Sequence, residues 1–372
     1  MNPVLRLSFA LIACGLLWLA ASAAQQPPPK AAPAPAQTAA PAAKTPDDLT
    51  PHFVGQATDV IVPVTVTDDK GKFVSNLEAR DFRILDEGRP QRIKFFSHDQ
   101  RQPIVVGFLV DMSNNMRIHW KNYQDAILEL VWNLLPGDPR FRGYLITYNN
   151  DAELLVNTTE DSEKIADKIR KLKPGGGAAL YDAIYKACTN RQLVNGEPYE
   201  PRRVLIVIGD GHNSVGDKSL EQVLEIAQRN LVTIYGMSTQ AFGFDNEDAD
   251  TLERLAKETG GHVEYPLNSP YKDVSGYLSN PQDAGNYAIT VGTGGYSAAI
   301  SKGIIDAVTG ITGEITTQYI LRYTPDIESD FKPKVFRRIV VDVPSLPTVK
   351  IHARLGYFPN PVPGSSNTGG PQ

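Results

Sequence analysis

The chain has 372 residues, of which 41% are hydrophobic and 21% are charged, and its formal net charge at pH 7 is −5. This composition is ordinary for a globular protein with a proper core, and the length leaves room for two folded units. A mildly acidic chain with no basic stripe is not expected to bind nucleic acid.

The first 24 residues have the pattern of an export signal. An apolar run follows Arg6, and Ala21-Ser22-Ala23 offers the small residues that signal peptidase needs. We therefore expect residues 1–24 to be a signal peptide and the protein to be exported, either to the periplasm or cell envelope or as a secreted protein. Leu11-Ile12-Ala13-Cys14 also resembles a lipobox, so a lipidated Cys14 and an uncleaved anchor remain alternatives. We expect membrane contact only in those two cases.

Two low-complexity stretches bound the folded part. Residues 25–50 are almost entirely Ala, Pro, Gln and Lys, and they are predicted to be a disordered linker. The tail 359–372, rich in Pro, Gly, Ser and Asn, is predicted to be disordered as well. If the signal is cleaved, Cys188 is the one cysteine left, so the fold must be held by packing without an internal disulfide.

Short strands are predicted at both ends of the folded part, in residues 53–100 and 315–358. Apolar residues recur with period two around Val60 to Val66, and Gln318 to Tyr323 begins a second group of strands separated by Pro- and Asp-rich turns. Three or four short strands cannot bury a core independently. We therefore predict that the two β segments pair into one small antiparallel sandwich, with residues 101–314 inserted between them.

The inserted part alternates strands and helices, which predicts an α/β domain with a doubly wound, mostly parallel sheet. Ile104–Val110 and Val204–Ile208 are continuous apolar runs of the kind found in strands buried on both faces. The alternation stops at residues 268–295, which are rich in Asn, Ser, Gly and Tyr. We predict an irregular insertion there, ordered rather than disordered because it contains several tyrosines, followed by a helix from Ala298 to Val308.

Small oxygen-bearing side chains follow both buried strands. Asp111, Ser113 and Asn115 come at alternate positions after the first strand, and the second strand ends in Gly209-Asp210-Gly211. The carboxyl ends of parallel strands are where open α/β folds bind ligands. Oxygen donors of this kind suit a hard cation such as Mg²⁺.

The D-x-S-x-N spacing from Asp111 to Asn115 resembles the metal-ion-dependent adhesion site of von Willebrand factor type A domains, whose pattern is D-x-S-x-S. Two further stretches, D-F-x-I-x-D-E-G-x-x-Q-x-I from Asp81 to Ile93 and R-x-G-Y from Arg354 to Tyr357, are similar to exported bacterial proteins related to that family. The resemblance covers about residues 55 to 358 by motif order. It implies a von Willebrand A, Rossmann-like fold for the inserted domain.

The resemblance also implies a function. Asp111, Ser113, Asn115 and Asp210 would bind Mg²⁺, with Mn²⁺ as a substitute, and an acidic side chain of a protein partner would complete the coordination. The chain is then a non-enzymatic, adhesion-type binding module. Two departures weaken the site: Asn115 replaces a serine, and Ala178 stands where the family pattern G-G-T-A-L-Y-D-A has a threonine ligand.

The same residues admit a second interpretation. Asp111 and Asp210 can simply cap strand-to-helix turns by accepting backbone N–H groups. The protein would then be a metal-independent scaffold or interaction protein of the cell envelope with a vestigial site.

Signals for catalysis are weak. There is no G-x-S-x-G elbow and no P-loop, and Cys188 lies on the apolar face of a predicted helix. The six histidines are scattered without local ligand spacing, at positions 52, 98, 119, 212, 262 and 352. We therefore expect no enzymatic activity.

Overall fold

The computed structural model describes residues 59–98, 103–117, 120–193, 201–240, 247–267, 284–325 and 335–359. The predicted signal peptide 1–24 with Cys14, the linker 25–50 and all but the first residue of the tail 359–372 lie outside the described residues. In the part that is described, no helix combines the length and the apolar character needed to cross a membrane.

The secondary structure follows the predicted order of a β segment, an α/β segment and a second β segment. The first segment contains strands β1 (Val60–Thr67), β2 (Arg83–Asp86), β3 (Arg89–Gln91) and β4 (Phe95–Ser97). The strands of the α/β segment are β5 (Ile104–Asp111), β6 (Phe141–Tyr148), β7 (Ala152–Thr159), β8 (Arg202–Gly209), β9 (Val232–Ser238) and β10 (Val263–Glu264). Its helices are α1 (Trp120–Leu134), α2 (Ser162–Ile169), α3 (Leu180–Thr189), α4 (Leu220–Arg229), α5 (Glu247–Thr259) and α6 (Ala284–Thr317). The last segment contains β11 (Tyr319–Tyr323), β12 (Arg337–Asp342), β13 (Lys350–Ala353) and β14 (Gly356–Tyr357).

The α/β segment is built on one six-stranded sheet with the order β10-β9-β8-β5-β6-β7. All neighbours pair in parallel except β6 and β7, which form an antiparallel hairpin at the edge. Helices α1, α2 and α6 pack on one face of the sheet, and α3, α4 and α5 pack on the other. The predicted doubly wound, mostly parallel sheet is confirmed.

Strand β5 lies at the centre of this sheet and is buried along its whole length. Its even-numbered residues, including Val106 and Phe108, join the core under α1 and α6, whereas Val105 and Leu109 join the core under α3 and α4. Successive side chains of a strand point to opposite faces, so a strand buried on both faces needs a continuous apolar run. This is why the β5 sequence has no polar residue until Asp111.

The two β segments pair with one another, as predicted. Strand β1 lies between β11 and β13, with Val60 opposite Tyr323 and Val66 opposite Ile351. Strand β2 pairs with β12, with Ile84 opposite Val341. The result is two four-stranded sheets, β13-β1-β11-β4 and β14-β12-β2-β3, with a shared apolar core. The α/β segment is therefore an insertion between the two chain segments that form the sandwich.

Helix α6 corrects one prediction. The irregular insertion 268–295 is wrong for residues 284–295, because they are part of one 34-residue helix that begins at Ala284. Glycine and β-branched residues lower helix propensity, which made this stretch unrecognisable as a helix. The C-terminal half of α6 buries Ile304, Ile311 and Ile315 against the core under α1, and a helix held in this way extends more easily than a new one forms. Residues 268–283 lie outside the described part of the chain.

Candidate functional site

Asp111 and Asp210 lie at the same edge of the central sheet. Strands β5 and β8 are parallel neighbours with Val110 opposite Ile208. Their carboxyl ends therefore lie side by side at the same edge of the sheet. Both carboxylates are nearly buried, with 1% of Asp111 and 7% of Asp210 exposed. We call Asp111, Ser113, Asn115 and Asp210 together the Asp111 edge.

Gly209 leaves the space at this edge that the side chains of Asp111 and Tyr148 occupy. A Cβ atom at this position would lie 2.4 Å from the Tyr148 hydroxyl and 2.9 Å from the Asp111 Cβ. It would also lie 3.2 Å from Oδ2 of Asp111. A side chain here would therefore push Asp111 away from the residue that follows Gly209, which is Asp210.

Each of the two carboxylates uses one oxygen to cap its own turn. The Ser113 N–H donates to Oδ1 of Asp111 at 2.6 Å, and the His212 N–H donates to Oδ1 of Asp210 at 2.9 Å. Side-chain caps of this kind stabilise a turn that follows a strand. The capping role considered in the sequence analysis is therefore present, and it leaves Oδ2 of each carboxylate for another partner.

The electrostatics of the edge favour a positive charge. Burial and, to a lesser extent, the negative charge of Asp210 raise the pKa of Asp111 to about 7, against the opposing effects of the Ser113 N–H, the Ser113 side chain and His212. Two buried acids that both ionise repel each other in a medium of low dielectric constant. A proton or a cation beside them relieves that repulsion.

Ser113 supplies the observation that best fits a cation. Its hydroxyl oxygen is buried and makes no hydrogen bond with any described residue, and the same holds for the hydroxyl of Tyr148. Buried polar groups almost always have a partner. An unpartnered hydroxyl beside two buried carboxylates matches the donor set of a hard divalent cation.

Asn115 is exposed and reaches back to the edge. Its Nδ2 donates to Oδ2 of Asp210 at 2.9 Å. The Asn115 side chain therefore hydrogen-bonds the one oxygen of Asp210, Oδ2, that does not accept the His212 N–H. A cation at this edge has to displace that bond.

The glycine turn before α3 also comes to the Asp111 edge. The Gly175 N–H donates to the Met112 carbonyl at 2.6 Å, and the Asn114 N–H donates to the Gly176 carbonyl at 3.1 Å. Ala178 follows in the chain; it is 1% exposed and brings no side-chain oxygen. The turn thus reaches the place where the family pattern has its threonine ligand, but the ligand is missing.

Two residues that the sequence analysis did not single out hold this turn. Oδ1 of Asn150 accepts the Gly177 N–H at 2.7 Å, and the hydroxyl of Ser214 accepts the Ala178 N–H at 3.0 Å. Asn150 belongs to the turn between β6 and β7. Because β6 is parallel to β5, that turn lies at the same edge, and this topology was the only signal for its role.

Residues 106–272 match the family model of the von Willebrand factor type A domain. The central domain has a von Willebrand A-like fold. Domains of this family are generally protein-interaction modules that carry a metal-ion-dependent adhesion site. A comparison with curated proteins found no match.

Solved structures with a similar fold are distant. An aerotolerance-related membrane protein from Bacteroides fragilis is 18% identical, with a TM-score of 0.35 over 47% of this chain and 98% of that chain. BatB from Bacteroides thetaiotaomicron is 20% identical, with a TM-score of 0.35 over 47% of this chain and 97% of that chain. Proximal thread matrix protein 1 from the mussel byssus, with a zinc-occupied adhesion-site motif, is 19% identical, with a TM-score of 0.37 over 45% of this chain and 42% of that chain. Similarity at this level does not bear on what this chain binds.

Proposed function

We propose that this chain is an exported, non-enzymatic protein-binding module that holds an acidic side chain of a protein partner through a divalent cation at the Asp111 edge. Mg²⁺ is the proposed cation, and Mn²⁺ substitutes for it. The observation that carries the proposal is the buried, unpartnered hydroxyl of Ser113 beside the two carboxylates.

Each residue of the edge has a distinct part. Asp111 and Asp210 provide two negative charges for a divalent ion, and the Ser113 hydroxyl provides a neutral oxygen. Asn115 contributes its amide oxygen only after its N–H has left Asp210. The bound cation would supply a positive charge with a coordination position left for a carboxylate of the partner.

A metal-independent scaffold is the second candidate, and two observations favour it. Ala178 offers no side-chain oxygen at the third loop, and the Asn115 N–H already satisfies one oxygen of Asp210. In this version the carboxylates only cap their turns, and partners bind elsewhere on the chain.

The non-enzymatic and exported parts of the proposal have separate support. Burial raises the pKa of the Cys188 thiol to about 12, so the thiol lacks the thiolate character of a nucleophile. Export is supported by the sequence pattern of residues 1–24. Fractionation of cells with an antibody against the chain tests it, and a protein retained at full length in the cytoplasm would contradict it.

Affinity capture from a cell-envelope fraction tests the binding function. The bait is the exported chain, compared in Mg²⁺, in excess chelator, and as the Asp111→Asn variant. We expect a protein that binds in Mg²⁺ and is lost both with chelator and with the variant. An Asp167→Asn bait, altered on the exposed surface of α2, is the matched control and should retain it. A partner held equally under all conditions would support the metal-independent scaffold instead.

A further inference from the structure

A second cluster of potential metal ligands lies at the seam between the sandwich and the central domain. It consists of His262, which directly precedes β10, Glu314 in the last turns of α6, and His352 in β13. We call these three residues the seam cluster. It shares no residue and no loop with the Asp111 edge.

The ligand atoms of the seam cluster converge. One nitrogen of each histidine and a carboxylate oxygen of Glu314 all lie within 4.8 Å of one another. Nδ1 of His262 is 2.5 Å from Oε2 of Glu314, and Nδ1 of His352 is 3.5 Å from Oε1. The two imidazole rings are 5.7 Å apart between centroids.

Both Nδ1 atoms contact Glu314 without the geometry of a good hydrogen bond. Nδ1 of His262 and Nδ1 of His352 are both buried, and neither makes a hydrogen bond of acceptable geometry with a described residue, although each faces Glu314. Glu314 itself is 2% exposed. Two buried imidazole nitrogens directed at one buried carboxylate form an arrangement that a cation bound by all three groups would satisfy.

The surroundings orient the ligands in the way that metal sites require. Nε2 of His262 lies 2.9 Å from Oε1 of Glu264, and with a metal ion on Nδ1 this contact would hold the remaining ring proton on Nε2. The hydroxyl of Tyr235 donates to Oε1 of Glu314 at 3.4 Å, and the Gln318 amide donates to that hydroxyl at 2.7 Å. Carboxylate–histidine pairs of this kind accompany most histidine ligands.

Gly310 makes room for this outer contact. A Cβ atom at this position of α6 would lie 2.6 Å from Oε1 of Glu264. A side chain at this position would push the Glu264 carboxylate away from its present contact with His262.

We propose that the seam cluster is a Zn²⁺ site that fastens the sandwich to the central domain. Two imidazole nitrogens and one carboxylate form a set that suits zinc, with a fourth position left for water. Ligands of a tetrahedral zinc ion lie about 3.3 Å apart. The 3.5 Å between Nδ1 of His352 and Oε1 of Glu314 matches this spacing, whereas the 2.5 Å between Nδ1 of His262 and Oε2 of Glu314 is shorter, so that pair has to move apart when the ion binds.

The site is also open enough to be filled. The side chains of His262 and His352 are 21% and 40% exposed, whereas that of Glu314 is 3% exposed. A hydrated ion therefore meets the histidines first. Because the ligands come from three elements far apart in the sequence, the ion binds the folded chain and not the unfolded one, and it stabilises the fold by mass action.

Zinc titration of the untagged exported chain, stripped with chelator, tests the proposal. We expect one Zn²⁺ per chain by elemental analysis after gel filtration, a rise in Tm with added ZnCl₂, and a visible spectrum of tetrahedral geometry with Co²⁺. His352→Ala should weaken binding by more than about tenfold, and Glu264→Gln, which removes only the outer contact, should weaken it by about tenfold.

Matched variants separate this site from others. Glu225→Gln, on the exposed surface of α4, and Asp167→Asn, on the exposed surface of α2, should both bind Zn²⁺ like the unaltered chain. Absence of stoichiometric zinc, or an unchanged affinity in both His352→Ala and Glu264→Gln, would overturn the proposal and leave the seam cluster as a set of histidine–glutamate ion pairs. If His352→Ala does not fold, the Co²⁺ spectrum of the unaltered chain and the Glu264→Gln titration still decide the question.

Discussion

Asn115 stands where the adhesion-site pattern has a serine, and its amide nitrogen donates to Asp210 at 2.9 Å. The N–H group acts on that carboxylate as a weak substitute for a cation. A serine side chain is shorter, and its hydroxyl oxygen can bind a cation without first breaking a hydrogen bond to Asp210. The side chain at position 115 therefore affects how tightly the Asp111 edge binds a metal ion.

We predict that Asn115→Ser tightens Mn²⁺ binding by about tenfold, the size of effect that outer contacts have on metal sites. Calorimetric titration with MnCl₂ measures it. Asn133→Ser, on the exposed face of α1, is the control and should leave the affinity unchanged. Weaker binding in Asn115→Ser would show that the amide oxygen is itself a good ligand.

Cys188 permits a prediction about reactivity. It lies in the core between α3 and the sheet, and burial raises its pKa to about 12. At pH 8 almost no thiolate is present, so the thiol of the native protein should resist alkylation. Mass spectrometry of the peptide that contains Cys188 should find it unmodified in buffer and fully modified in denaturant. Rapid modification in buffer would contradict the packing described for α3.

At the scale of elements, the sandwich is held by a buried carboxylate that four strands share. Asp86 of β2 is fully buried and accepts from Arg337 of β12 at 2.9 Å. It also accepts from the hydroxyls of Tyr323 in β11 and Tyr357 in β14, at 2.9 Å and 3.0 Å. The D-E-G motif and the closing R-x-G-Y motif therefore meet in the core of the sandwich.

We predict that Asp86→Ala lowers the free energy of unfolding by about 3–5 kcal/mol, because Arg337 and two hydroxyls lose a partner inside the protein. Urea unfolding followed by circular dichroism measures it. Asp342→Ala is a matched control, since Asp342 pairs with the largely exposed Arg83 across the same two strands. It should have a much smaller effect. Equal effects of the two variants would mean that the shared carboxylate is not central to the sandwich.

Some strands and helices could be predicted from the sequence more completely than others. The strands β5 and β8 could be predicted because each contains a continuous apolar run, Ile104–Val110 or Val204–Ile208, with an acidic residue one or two positions after it. Helix α6 could not be predicted over its full length, because its glycines and β-branched residues disfavour a helix that tertiary packing holds. The capping bonds of Asp111 and Asp210 follow from the turn chemistry of aspartate. The sequence could not predict that the Ser113 hydroxyl is buried without a hydrogen-bond partner among the described residues, because this depends on how the loops pack.

At the scale of the whole molecule, the sandwich joins chain segments on both sides of the central domain. His262, Glu314 and His352 have no local spacing in the sequence, so scattered histidines gave no signal of the seam cluster. They meet only because β13 pairs with β1 beside the central domain. Sites assembled across such long separations depend on the topology, which single motifs do not encode.

Truncation tests this topology. We predict that a chain ending at residue 325 loses the sandwich, because β1 loses β13 and β2 loses β12, while the central domain keeps its two cores. Limited proteolysis with mass spectrometry should then yield a protected fragment of about residues 103–317 and rapid cleavage within residues 59–98. Continued protection of residues 59–98 would show that the first β segment folds without the last.

The cation site proposed at the Asp111 edge is tested most directly by the response of Tm to Mg²⁺ and Mn²⁺. At ten times the Kd, a bound cation adds about 1.4 kcal/mol to the free energy of unfolding, which for a chain of this size is about 3 °C. We expect such a rise for the unaltered chain and for His352→Ala, and none for Asp111→Asn. A Tm that does not respond to millimolar Mg²⁺ or Mn²⁺, or that responds equally in Asp111→Asn, would contradict it.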